Sequence, residues 1–372
     1  MTSTRSNITA QSGRKSDLAP ASSRHVLRWG LKKAARRGVA LASWMAGLAR
    51  DTDAEVGEGS IRVLTYHRFG DAKYDPFCVS PADFEAQVAF LSSRKLAISL
   101  SQFQRFIEDG ARPVRNAVLV TIDDGYLSTW SIALPILKKY RVPAVAFVTP
   151  SLVGKRESCE QAISEGYAGW AELAELVAAG IDVASHSLSH RSLGRMPARE
   201  AQEEATASKK SLEDHLGIPV TAFAYPYGTL ADFNVMTSQI LREAGYQLAF
   251  TSQHGSASGA ANPLELPRIK IEGGEPLWMF RLSARGALDR WSWVDRTFWR
   301  LQASPGHNTP EQAAQADRLP VASRDARSHA NVPILPEASR LADDALTTAS
   351  DPHCQTGNAA TGARASASLE SE

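Results

Sequence analysis

Residues 117–125 read AVLVTIDDG, an almost purely apolar run that ends in two carboxylates, Asp123 and Asp124, and a glycine. Successive side chains of a strand point to opposite faces, but Gly125 lets the backbone turn where the strand ends, so both carboxylates can face one cavity. Two close carboxylates differentiate when a metal claims one of them: the ligand stays ionised and the other is free to act as a base. The competing reading is an Asp-Asp-Gly turn that caps a helix. Residues 181–190, IDVASHSLSH, place His186 and His190 four positions apart just past a second apolar run. That spacing sets both rings on one face of a helical turn. Two imidazoles and one carboxylate leave positions open on zinc or a similar ion, a catalytic rather than a structural ligand set. The glutamate of HExxH is missing, so this is not that zinc-protease motif, and a bare HxxxH also occurs as a surface or hydrogen-bonded pair. In FAYPYG, residues 223–228, Pro226 and Gly228 break a strand end. Such a turn can aim backbone N–H groups inward, as an oxyanion hole requires, or it can be a loop with aromatic packing. His67 ends the run VLTYH and Arg268 lies in LPRIKI; read singly, each is as compatible with packing as with chemistry.

The elements that must position these groups alternate. Strands are predicted near 61–66, 117–122, 144–149, 181–185, 221–224, 248–251 and 266–271, and amphipathic helices near 81–93, 100–108, 130–140, 170–179, 199–216 and 232–244. Strand–helix alternation implies a parallel sheet with helical crossovers. Six or seven such units fit a closed or nearly closed α/β barrel better than an open sheet, and functional residues then gather at the carboxyl ends of the strands. All four motifs above sit at such ends.

The chain has 372 residues, with 43% hydrophobic and 22% charged residues, values that exclude collagen-like, coiled-coil or wholly disordered classes. It contains no apolar run of about 18 residues. The three cysteines, Cys78, Cys159 and Cys354, make neither a disulfide framework nor a CxxC zinc site, so any metal is held by nitrogen and oxygen. Residues 1–50 carry ten Lys or Arg against Asp17 alone, while the remainder has 31 bases and 39 acids, a balance of −8. A basic arm on an acidic body argues against a nucleic-acid-binding core. The expected organisation is a basic, partly disordered arm, 1–57, with an amphipathic helix near 24–49; a folded domain, 58–303; and a disordered tail, 304–372, which has no aromatic residue. Three readings of the helix stay open. It rests on an anionic membrane surface, which favours a cytoplasmic, membrane-peripheral placement; it is an export signal; or it packs on the domain.

In combination, DDG, then HSLSH about sixty residues later, then FAYPYG resemble the polysaccharide deacetylases of carbohydrate esterase family 4, which share the NodB homology domain. The resemblance covers roughly residues 60–275. The early TYHRF and late LPRIKI look most like the poly-N-acetylglucosamine deacetylase branch, in which the domain is circularly permuted. The resemblance implies a distorted (β/α)7-type barrel and the removal of N-acetyl groups from a polysaccharide or chitooligosaccharide. It implies Asp123 as general base and Asp124, His186 and His190 as ligands of a divalent metal, usually Zn2+. By the same resemblance the backbone N–H of Tyr227 helps bind the oxyanion, His67 is the general acid, and Arg268 orients Asp123. The chain departs from the family at Ala224, where many members carry an arginine, and it lacks the later leucine–any–histidine and aspartate–tryptophan motifs; in this branch Arg268 and His67 take those places. The partner implied is an N-acetylated glycan. Two other classes stay open: a degenerate carbohydrate-binding module and a hydrolase of a non-sugar amide.

Overall fold

A computed structural model describes residues 23–49, 60–72, 74–109, 116–155, 166–258 and 261–302. The arm before residue 23 and the tail expected over 304–372 lie outside the described residues. Seven parallel strands make the main sheet: β1 (Ile61–Tyr66), β4 (Ala117–Ile122), β5 (Ala144–Val148), β6 (Asp182–Ser185), β7 (Ala222–Ala224), β8 (Leu248–Phe250) and β9 (Ile269–Lys270), in the order β8-β7-β6-β5-β4-β1-β9. A separate pair, β2 (Arg68–Phe69) and β3 (Cys78–Val79), lies between β1 and the first crossover helix, α2 (Pro81–Ser93). The remaining crossovers are α3 (Leu100–Asp109), α4 (Leu134–Tyr140), α5 (Trp170–Ala178), α6 (Ala198–Leu216) and α7 (Val235–Glu243).

The expected strand at 266–271 is shorter than its sequence pattern, for a topological reason. Leu266 bridges to Phe250 of β8, whereas Ile269 and Lys270 pair with Leu64 and Thr65 of β1. One segment therefore leaves one edge of the sheet, crosses the gap and joins the other edge, so the seven-stranded sheet curls into a barrel closed by 266–270.

Two apolar clusters divide the strands by the two-residue period. Ile61, Val63, Ala117, Leu119, Val145, Phe147, Ala184, Ala222, Ala224, Leu248, Phe250 and Leu266 fill the interior, with Phe103 and Phe106 of α3 closing it. Leu64, Tyr66, Val118, Val120, Ile122, Ala146, Val148, Val183, Phe223, Ala249 and Ile269 face the helices. Continuing the inward alternation past each apolar run reaches His67, Asp123, His186, Arg268 and Lys270. The barrel thus turns a packing period into a ring of polar groups at one end.

The helix expected near 24–49 is α1 (Ser23–Met45), and it packs on the domain. Two of the bases credited with attraction to an anionic surface point inward: Lys33 and Arg36 are 2% and 1% exposed. Lys33 Nζ donates to Glu272 at 2.8 Å and Arg36 Nε to Glu275 at 2.8 Å, while Arg36 also donates to the Lys270 carbonyl. Trp29 lies against Gly274, where φ is +71° and an added Cβ would sit 2.8 Å from the indole. The outward side exposes Leu27, Leu31, Leu41, Trp44 and Met45. Two further helices follow β9, α8 (Leu277–Ala284) and α9 (Ser292–Gln302). No described helix is long and apolar enough to cross a membrane.

Burial pushes the Glu272 carboxyl up, but Arg36, Lys32 and Lys33 hold it far below its ordinary value of 4.5. A carboxylate depressed on folding contributes stability that is fully present above its unfolded pKa and is lost as pH falls below it. Acidification from pH 4.5 downward is therefore expected to release α1 before the barrel unfolds, seen as loss of hydrogen-exchange protection in 23–45. Glu272→Ala, which leaves Lys33 buried with its nearest carboxylate gone, is expected to cost about 3–5 kcal/mol in denaturant unfolding. A change below about 1 kcal/mol would mean that α1 is not held by this cluster.

Candidate active site

At the end of β4, Asp123 continues the inward alternation while Asp124 adopts φ +73° and Gly125 φ +74°. The turn expected of Gly125 is shared by Asp124 itself, and this left-handed residue swings its carboxylate to the same side as Asp123. His186 follows β6 directly, but the expected helical turn between it and His190 does not form. Ser187 and His190 are left-handed instead, at φ +62° and +61°. The Ser187 hydroxyl accepts the His190 N–H at 2.9 Å, so a local side-chain bond replaces the helical one. Four of the seven described non-glycine residues with positive φ (Asp124, Ser187, His190 and Tyr227) lie in this site, where strain of this kind is held by the scaffold.

The arrangement brings Asp124 Oδ1 to 3.3 Å from His186 Nε2 and 3.2 Å from His190 Nε2. One ligand atom from each residue lies within 4.8 Å of the others. A tetrahedral ion with bonds of about 2.0–2.1 Å separates its ligand atoms by about 3.3 Å, so the three donors fit a zinc-sized cation with coordination positions left open. The Nδ1 of His186 is 2.7 Å from the Ala224 carbonyl, which fixes the ring with Nε2 toward the cluster. Ala224, where the family arginine is missing, thus supplies a backbone acceptor. Burial raises the Asp124 carboxyl, yet the two imidazoles hold it well below the usual range. His186 is raised against its own burial by Asp124 and Asp123. This end of the cavity favours positive charge.

Asp123 does not join the ligand cluster. Its two oxygens accept Arg268 Nη1 and Nη2 at 2.8 and 2.7 Å, with the carboxylate 2% and the arginine 1% exposed. Burial acts to raise its pKa, but Arg268 and His186 leave it below the ordinary carboxylate value. His67, the inward residue after β1, sits with its ring 4.8 Å from that of Phe77. Burial lowers its pKa, opposed by Asp124 and Asp123. In the 225–228 turn, Tyr227 is left-handed and its ring meets His190 edge-on at 5.0 Å. Gly228 is obligatory, since an added Cβ would lie 2.5 Å from the Ser252 nitrogen.

One cavity of about 740 Å³ is lined by His67, Asp123, Asp124, His186, His190 and Tyr227. Arg268 reaches it through Asp123. The same cavity continues to groups that the motifs do not contain: Phe77 and Tyr126, then Arg36, His254, Lys270 and Asp295. Lys270 carried a usable signal, lying two residues beyond Arg268 on the same strand face. The bond between His254 Nδ1 and Asp295, 2.8 Å across 41 residues, had none.

The curled parallel barrel matches the fold of NodB-type deacetylases, and at its strand ends it carries a carboxylate and two imidazoles beside an arginine-held aspartate. Residues 110–249 match the family model described as polysaccharide deacetylase. The chain is 26% identical over 238 residues to a poly-beta-1,6-N-acetyl-D-glucosamine N-deacetylase of Staphylococcus aureus, covering 58% of this chain and 79% of that one. The solved structure of IcaB from Ammonifex degensii superposes with a TM-score of 0.51 at 26% identity, covering 63% of this chain and 99% of the other. A Streptococcus pyogenes deacetylase, PplD, solved in complex with acetate, gives 0.52 at 25% identity over 58% and 94%.

The ligand geometry predicts one zinc ion per chain by elemental analysis after zinc loading and dialysis. Because outer-shell changes alone cost about 10–100-fold in metal affinity, Asp124→Asn or His186→Ala is expected to weaken binding by at least about 100-fold. Unchanged affinity in either variant would remove that residue from the ligand set.

Proposed function

We propose that this protein is a metal-dependent hydrolase that removes N-acetyl groups from an N-acetylglucosamine-containing polysaccharide or oligosaccharide and releases acetate. The observation that carries the reading is the division of labour between adjacent carboxylates: Asp124 is aimed at two imidazoles, while Asp123 is held away from them by a bidentate arginine. One serves as ligand and the other stays ionised and unligated. A divalent cation on Asp124, His186 and His190, most simply Zn2+, would supply Lewis acidity toward the acetamide carbonyl and toward a water molecule.

The chain's own groups do the rest. Asp123 accepts a proton from the attacking water, and Arg268 keeps its carboxylate ionised and oriented. The Tyr227 backbone N–H is assigned to the carbonyl oxygen as it gains charge. His67 donates a proton to the departing sugar nitrogen, without which C–N cleavage would expel an amide anion. Burial makes its imidazolium a stronger acid, and Phe77 restricts its ring. The water's oxygen leaves in acetate and the nitrogen leaves as an amine, so atoms and protons balance. The missing arginine at Ala224 allows the reading of a degenerate site; Arg268 reaching Asp123 from the barrel-closing segment supports a working one.

The test is acetate release from N-acetylglucosamine oligomers by the full-length protein, before and after chelation and with zinc restored. Chelator-sensitive release that returns with metal is expected; no release from a stoichiometrically loaded protein would overturn the reading. Asp123→Asn is expected to lower kcat by about 10²–10⁴-fold with metal still bound. Activity within about threefold of the parent would remove Asp123 as the base.

A further inference from the structure

Beyond the reacting groups, the cavity runs along a wall built by α1, β9, the loop that follows it and α9. It contains Lys32, Arg36, His254, Lys270, Glu272 and Asp295. The carboxylates of this wall are already engaged. Glu272 accepts from Lys32 at 2.7 Å and Lys33 at 2.8 Å, and Glu275 from Arg36 at 2.8 Å. Asp295 accepts both the backbone N–H and the ring of His254, each at 2.8 Å. The other ring nitrogen, His254 Nε2, faces Arg36 Nη1 at 3.4 Å, and burial and that guanidinium lower the pKa of the imidazole against the pull of Asp295.

Four cations, Lys32, Lys33, Arg36 and Lys270, thus stand against three carboxylates. The ammonium of Lys270 is the group left over: among the described residues it makes neither a hydrogen bond nor an ion pair. Its inward register, two residues after Arg268, places it on the cavity wall. Burial works against its charge, and Asp295 only partly offsets this. A partly buried, unmatched cation facing a substrate cavity is stabilised by an anion that enters with the substrate.

We propose that Lys270 binds an anionic substituent of the glycan, a carboxylate or a phosphate, with Lys32 and Arg36 adding to the field. The substrate class is then an acidic N-acetylated glycan rather than a neutral one. This rests on the deacetylase reading above and narrows it.

The experiment compares the zinc-loaded full chain on neutral N-acetylglucosamine oligomers, on oligomers bearing lactyl carboxylates, and on 6-phosphorylated oligomers. It measures both acetate release and equilibrium binding. One charge-assisted contact predicts a kcat/KM advantage of about tenfold for an acidic oligomer, shrinking as salt screens it. That advantage falls to about one in Lys270→Gln and returns in Lys270→Arg. The carboxylate and phosphate arms identify which substituent is bound. A ratio near one in the parent, or a ratio unchanged in Lys270→Gln, overturns the proposal. So does Lys270-dependent inhibition by free acetate or inorganic phosphate without any substrate preference, which would assign the site to a free anion. If no oligomer releases acetate, binding decides. A Lys270-dependent preference for acidic oligomers then sustains this site while the deacetylase reading fails, and no preference overturns the site as well.

Discussion

The bidentate pair between Arg268 and Asp123 is the interaction on which the site depends. Both groups are almost fully enclosed, and neither belongs in the interior of an apolar barrel unless the other is there. The arginine settles three matters at once. It keeps a buried carboxylate ionised, fixes the plane of that carboxylate, and keeps it from turning toward the imidazoles that Asp124 faces. Two aspartates adjacent in sequence thereby acquire different environments without any difference in residue type. The guanidinium also lies 5.6 Å from the centre of the Phe147 ring, so its remaining surface meets an aromatic face inside the barrel.

The backbone supplies the second half of the arrangement. In an ideal strand Asp124 would point to the helix layer with Ile122, and no ligand cluster would form. The left-handed conformation at Asp124 turns its side chain away from the direction that the strand period assigns to it, and Ser187, His190 and Tyr227 take the same backbone conformation in the loops after β6 and β7. Local compensation is visible at His190, whose N–H is taken by Ser187, and at Gly228, whose lack of a side chain admits the Ser252 backbone. A rigid sheet carrying strained corners is how a fold with simple alternation holds groups of opposite phase in one pocket.

Much of this was legible because it is local. The run that ends in Asp123-Asp124-Gly125 announces a strand with polar groups at its tip, and the apolar alternation of β1, β4 and β5 gives the barrel interior directly. The His186–His190 spacing suggested convergence for a reason that does not hold, since a left-handed loop rather than a helical turn brings the rings together. What the residues alone left open is what depends on strand order. Arg268 was ambiguous because its value comes from β9 lying beside β1, and nothing in LPRIKI states its neighbour. The same holds for α1. Its lysines and arginines read as a basic surface, and only Glu272 and Glu275, some 239 positions downstream, show that two of them are interior groups.

The closure of the barrel by residues 266–270 has a consequence for how the protein is made. β1 leaves the ribosome early, with one edge taken by β4 and the other waiting for β9, and α1 emerges earlier still, with its counter-charges not yet synthesised. Pairings this distant along the chain form slowly and leave edges and apolar surface uncovered meanwhile. Both histidines and both aspartates are already present when translation reaches residue 190, but the arginine that gives Asp123 its charge and orientation comes nearly eighty residues later. A nascent or prematurely terminated chain can therefore own Asp124, His186 and His190 and still lack the group that orders Asp123, so the site stays incomplete until the last strand has joined the first.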